Sequence, residues 1–162
     1  LATGASSTMS SDLWSFSLDA YARPGAERAC LQLQSAGTNV CLLLCGLWLE
    51  HRGVVFNELR LLELREVVEG WDAGVIQPLR ALRGQWKAAA ADDTDLNILR
   101  EKVKALELEG ERILLSRLEK TAQQWPQNDK AGSTAWLEGV AADTTNVGRD
   151  ALHQLRVAVT GT

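Results

Sequence analysis

The sequence predicts an all-α single domain, a bundle of six or seven helices around a buried central helix at about 38–50. Three observations carry this. Residues 40–49 read Val-Cys-Leu-Leu-Leu-Cys-Gly-Leu-Trp-Leu, without one polar side chain. At roughly 100° per residue such a helix is apolar on every face, which marks a membrane span or the middle of a helical core. A span needs about 20 apolar residues, and this run stops at Glu50-His51-Arg52, so the core reading holds. Apolar residues also recur at three- and four-residue spacing through 95–124, the helical period. Finally, no strand signal survives: Val54-Val55-Phe56 is too short and Val157-Ala158-Val159 is terminal.

Element by element, Asp12 can cap a short helix over 13–21, whose Leu13, Trp14, Phe16 and Leu18 form an apolar face. Arg23-Pro24-Gly25 breaks it. Pro24 suits the first turn of a second helix, with Glu27 near the positive end of the dipole and Ala29, Cys30, Leu31 and Leu33 turned inward. Gly37 is placed to end that helix, Thr38 to cap the apolar one and Gly53 to close it. Asn57 is expected to cap a fourth helix, 58–70, and Gly70 with Asp72 to mark an end and a new start. The next helix carries Val75, Ile76, Leu79, Leu82 and Trp86, with Pro78 kinking it or fixing its first turn. After the polar junction Asp92-Asp93-Thr94-Asp95 comes the longest helix, 95–124, an outer brace. Its apolar stripe is Leu96, Leu99, Val103, Leu106, Ile113, Leu114 and Leu118. Residues 126–132 form a loop. Beyond it, Ser133 or Thr134 opens a short helix through Ala142, and Asp143 or Thr144 another through Val159, both of low apolar density. No repeat of 20–50 residues is evident.

At 162 residues the chain is one domain, 12–160, large enough to bury a core. Residues 1–11, small and polar, are expected to be a disordered leader. Leu1 is not a normal initiator and the only methionine is Met9, so either the start codon is non-standard or the residues before Met9 are an extension. A net charge of −4 gives no excess of Lys and Arg for phosphate neutralisation, so no nucleic-acid partner is expected. No membrane association is expected either. Six Trp against two Phe and one Tyr suggest that each indole pins a helix to its neighbour, with N–H groups near the edge of the core. Cys30, Cys41 and Cys45 form no CxxC and leave no complete disulfide set. With no signal-peptide pattern, free buried thiols point to a reducing, cytoplasmic setting.

Two constellations could carry chemistry. Glu107 and Glu111 are an i,i+4 carboxylate pair at the edge of the long helix's stripe. Such a pair can serve a metal inside a bundle, but a di-metal site needs Glu-x-x-His motifs, and His51 and His153 form none. The ordinary alternative is that Glu107 pairs with an Arg from a facing helix. Arg80, Arg83 and Lys87 recur at helical spacing beside Trp86, either a basic strip able to hold a phosphate or acidic partner or the solvated side of an amphipathic helix. His51 near a helix C-terminus has no nucleophile beside it, and aliphatic surroundings make Cys41 and Cys45 inert. No dinucleotide, P-loop, GxSxG, HExxH or EF-hand motif is present.

The block Leu13-Trp14-Ser15-Phe16-Ser17-Leu18 with Tyr21 and Arg23-Pro24-Gly25, then Ala29-Cys30-Leu31-Gln32-Leu33-Gln34 and the run 40–49, resembles an uncharacterised proteobacterial domain-of-unknown-function family of about this length. Trp71, Pro78-Leu79-Arg80, Arg83, Glu107 and Glu111-Arg112 extend the resemblance over most of 12–118. Where that family tends to read Asp-Val-Asn-Leu-Leu-Leu-Phe, this chain has Asn39-Val40-Cys41-Leu42-Leu43-Leu44-Cys45, which puts any role of the family's polar residue in doubt here. The resemblance implies a bacterial cytoplasmic protein and supplies no activity.

The expected function is a non-catalytic helical interaction module that docks a protein partner or a second copy, with Arg80, Arg83, Lys87 and Trp86 in the surface and no cofactor. The alternative is a small-ligand or metal-binding protein or enzyme, with an inter-helix pocket built from Glu107, Glu111, Arg80 and Arg83.

Overall fold

The computed structural model describes residues 13–127, 135–142 and 146–161. Within them the chain forms α1 (Leu13–Tyr21), α2 (Ala26–Ser35), α3 (Val40–His51) and α4 (Glu58–Trp71). A π turn (Asp72–Ile76) leads into α5 (Gln77–Gln85) and α6 (Lys87–Ala90), followed by α7 (Thr94–Ala122), α8 (Ala135–Val140) and α9 (Asn146–Thr160). The fold is all-α. Residues 58–90 make one bent rod, so that seven helical rods are present among the described residues, the upper end of the expected number. The expected leader, its Asp12 cap, and the starts assigned to Ser133, Thr134, Asp143 and Thr144 lie outside those residues.

Helix α3 is the centre. All nine residues from Cys41 to Leu49 are buried, and α1, α2, α4, α7 and α8 pack around it. It begins one residue later than expected: Asn39, not Thr38, accepts the cap hydrogen bond from the Leu42 N–H at 3.1 Å. The capping oxygens of Asn57 and Asp93 likewise receive the N–H groups of Arg60 and Leu96, so the junctions written in Asx residues are where the helices start. Pro24 sits in the turn before α2, whose N-cap is Gly25 in the left-handed region at φ 86°, a geometry a side chain would resist.

The rod 58–90 does not stop at Gly70. The Gln77 N–H donates to the Asp72 carbonyl, an i→i+5 bond, and the helix runs on. A π turn holds one extra residue, so it rotates the downstream helix by roughly 100° relative to an uninterrupted one. It falls just before Pro78, which cannot donate a backbone hydrogen bond. That rotation turns Arg80 and Arg83 toward α7.

Helix α7 buries Val103, Glu107, Gly110, Leu114, Leu115, Leu118 and Ala122. Its expected stripe is therefore corrected: Leu99, Leu106 and Ile113 are exposed. The C-terminal segment is core. The fully buried Trp136 donates to the Val54 carbonyl at 2.8 Å, and its ring meets Phe56 edge-on and stacks on Trp125. Glu50 accepts the Leu137 N–H at 2.9 Å, tying α8 to α3, while α9 packs on α2. No described helix is long and apolar enough to cross a membrane.

Candidate functional site

The π turn and the three-residue spacing of Arg80 and Arg83 bring two guanidinium groups opposite the four-residue spacing of Glu107 and Glu111. The Arg80 Nη2 donates to Glu111 Oε1 at 2.8 Å, and its Nε lies 3.9 Å from Glu107 Oε1. Arg83 donates from Nε and Nη2 to the two oxygens of Glu107, and the hydrogen bond from Glu107 raises the Arg83 pKa. With the Gln34 amide oxygen turned to the guanidinium, Arg80 Nη1 also donates to it at 2.8 Å.

So the expected partner of Glu107 from a facing helix exists. The basic strip does not present three free cations, because Arg80 and Arg83 are paired, and of its members only Lys87 is exposed at the surface. Equally, both oxygens of Glu107 are engaged by guanidinium donors, which leaves a metal ion no open carboxylate there. Among the described residues no group of three or more His, Cys, Asp or Glu side chains is placed to hold a metal.

Beside this ion-pair cluster lies a cleft of about 500 Å³ between α1, α3, α7 and the rod. Arg80 and Glu111 form part of its wall; Arg83, Glu107, Trp86 and Lys87 do not line it. The remaining wall comes from places the sequence did not single out. Helix α1 contributes Trp14, Ser17 and Tyr21, the α2–α3 turn contributes Thr38 and Asn39, and the rod contributes Asp72. Val40, Cys41, Leu44, Ile76 and Leu115 supply an apolar lining. Gly37, with φ 97°, makes the tight turn that brings Thr38 and Asn39 back over the end of α2.

Electrostatically the cleft is acidic. Its charged lining residues are Asp72, Arg80 and Glu111, and Arg80 is already satisfied by Glu111. Burial pushes the Cys41 thiol far up, and the negative charges of Glu111 and Asp72 push it further, against Arg80. Tyr21 is raised by burial first and then by electrostatic interaction with Cys30, Glu27 and Glu111. The Ser17 hydroxyl, on a residue 4% exposed, has no hydrogen-bond partner among the described residues, an arrangement that usually has a cause. The arrangement can hold a small molecule by shape, aromatic faces and carboxylates. It offers no activated nucleophile: the buried cysteines are held protonated, and His51 is exposed beside Phe16, outside the cleft.

No local pattern points to Ser17, Tyr21, Asn39 or Asp72, since each is an ordinary helix-face or capping residue until the fold brings it to the others. The family described as a protein of unknown function (DUF2390) matches residues 12–118. That span holds every residue of the cleft and leaves α8 and α9 outside. No curated protein and no solved structure matches the chain.

Proposed function

The chain belongs to this family of unknown function, and we propose that it is a binding protein for a small organic cation held in the α1–α3–α7 cleft. The observation that carries the reading is the cleft itself: about 500 Å³, the size class of small-molecule sites, with a buried Ser17 hydroxyl on its wall that has no hydrogen-bond partner among the described residues. Its charged lining of Asp72, Arg80 and Glu111 disfavours an anion, which would have to draw Arg80 away from a carboxylate it already holds. An ammonium group meets the reverse: the Asp72 carboxylate, which makes no ion pair among the described residues, and the rings of Trp14 and Tyr21, whose faces attract cations. Arg112 already lies 5.3 Å from the Trp14 ring centroid.

A cytoplasmic setting belongs to the same reading, supported by three unpaired, buried cysteines. Docking of an acidic protein on Arg80, Arg83 and Lys87 is the weaker reading, because two of the three charges are spent within the chain.

The test is a titration of ¹⁵N-labelled protein with paired aromatic amines and carboxylates on the same carbon frame. Amines are expected to move the amide signals of Ser17, Tyr21 and Cys41, and Asp72→Asn to weaken their binding by about tenfold. Shifts from the carboxylates alone, or none at these residues from any amine, would overturn the proposal.

A further inference from the structure

On the side of α7 turned away from the cleft residues Leu108, Glu111 and Leu115, three apolar side chains stand in one line. Leu99, Leu106 and Ile113 are spaced seven residues apart and are 49%, 53% and 39% exposed. Seven residues is two helical turns less about 20°, so the line runs along the helix with little drift. Lys102 and Glu109, also seven apart and exposed, share one flank of it. Neither makes an ion pair within the chain among the described residues.

We propose that this face is where a second copy of the chain docks, antiparallel, about a two-fold axis passing beside Leu106. The pattern is complementary to itself in that arrangement. A two-fold perpendicular to two antiparallel helices keeps each flank on its own side and exchanges residues equidistant from the axis. Leu106 then meets its own copy, and Leu99 meets Ile113 in both directions. On the shared flank, Lys102 stands four residues before the axis and Glu109 three after it, within one residue of the same level, so each meets the opposite charge of the other copy. Further out the same operation sets Asp95 opposite Arg117, which is already steadied over the Trp71 ring at 4.0 Å. In a parallel pair the two-fold would run along the helices and carry the copy's Lys102 and Glu109 to the opposite flank, so neither charge would meet the other. The antiparallel choice therefore comes from charge, and a closed two-fold pair is the ordinary form of self-association. The surface is separate from the cleft, so the pair leaves that site open.

The test uses full-length protein and needs no ligand. Sedimentation from micromolar to near-millimolar concentration is expected to show a reversible dimer. Lys102→Glu is expected to weaken it on the order of tenfold by placing like charges together, and Lys102→Glu/Glu109→Lys to restore it. Under mild oxidation Leu106→Cys is expected to form a disulfide-linked dimer, whereas Leu99→Cys is not, except when mixed with Ile113→Cys. The native cysteines are buried and give no background. Circular dichroism confirms that each variant is folded. A monomer at every concentration, a dimer indifferent to the charge swaps, or equal self-linking of Leu99→Cys and Leu106→Cys would each overturn the inference.

Discussion

Arg83 holds Glu107 by both carboxylate oxygens, and the two residues stand in different environments. Glu107 is 7% exposed on the inner face of α7, whereas the Arg83 side chain keeps about a third of its surface in water. The pair is therefore asymmetric. Without Glu107, the guanidinium can turn outward and be hydrated. Without Arg83, the carboxylate stays buried, with only the Arg80 Nε at 3.9 Å to meet it.

That asymmetry sets an order of stabilities in urea denaturation. Arg83→Ala is expected to cost about 3 kcal/mol, the lower part of the range for breaking a buried pair from one side. Glu107→Ala should cost less, about 1–2 kcal/mol, mostly from lost packing and the lost bond. The double variant Arg83→Met/Glu107→Leu is expected to lie close to wild type, since apolar residues of similar volume often replace buried pairs at no loss. Equal costs for the two single alanine variants would show that Glu107 is not effectively buried.

Two helical glycines are expected to respond in opposite directions. A Cβ added at Gly110 would meet Ile76 Cγ1 at 3.6 Å and Val75 Cγ1 at 3.8 Å, ordinary contact distances. Gly110→Ala should then stabilise by about 0.5–1 kcal/mol, the helix-propensity difference. At Gly139 a Cβ would stand 2.7 Å from Phe56 Cε2 and 2.8 Å from Cζ. That ring is braced edge-on against Trp136 at 5.1 Å, so Gly139→Ala should destabilise by about 1–3 kcal/mol through overpacking. Thermal unfolding of both variants reads the contrast directly.

These contacts show which parts of the molecule are legible in the chain. Helix α3 is legible because a run apolar on every face has one soluble solution whatever its neighbours do. Asn57 is legible because a cap acts on backbone three residues away. The buried face of α7 is not. Its apolar residues serve two sides, and the stripe drawn from spacing mixes Val103, Leu114 and Leu118, which are buried, with Leu99, Leu106 and Ile113, which are not. Glu107 belongs inside only because Arg83 reaches it, and Arg83 reaches it only because the π turn at Asp72–Ile76 shifts the register of the rod. No periodicity read at the α-helical angle contains that shift. The burial of Trp136 and Leu137 is hidden for a related reason. A six-residue helix is too short to show a period, and their burial comes from Gly46, which lets Val140 and Leu137 close on α3.

Glu50 supplies a pH signature. Burial raises its pKa above the ordinary carboxylate value, against the lowering influence of the Leu137 N–H and Arg156. A raised carboxyl binds more protons folded than unfolded, so its contribution is full below the ordinary range and is lost as pH rises through the folded value. Glu50→Gln keeps an oxygen for the Leu137 N–H and removes the titration. In a urea series from acid to neutral pH, the variant's stability is expected to fall less steeply than wild type's. Parallel slopes would mean that Glu50 is hydrated in solution and does not carry the shift.

The three thiols should govern the alkaline side. Burial, with Glu27 adding, pushes Cys30 up to about 11, while burial holds Cys41 and Cys45 higher still. In the unfolded chain all three ionise near the ordinary thiol value, so above it the unfolded state releases protons that the folded state retains. Stability is then fully present below that value and is lost as pH rises through the folded ones. Steepening loss above about pH 9 is the expected result. Cys45→Ala removes one such group, so its curve should be shallower there, whatever constant cost the lost packing adds at neutral pH. Thiol-specific labelling gives an independent reading. At mildly alkaline pH the folded protein should react only as fast as it opens, and urea should accelerate all three cysteines together. Rapid labelling of Cys41 under native conditions would instead reveal that the cleft opens to its floor.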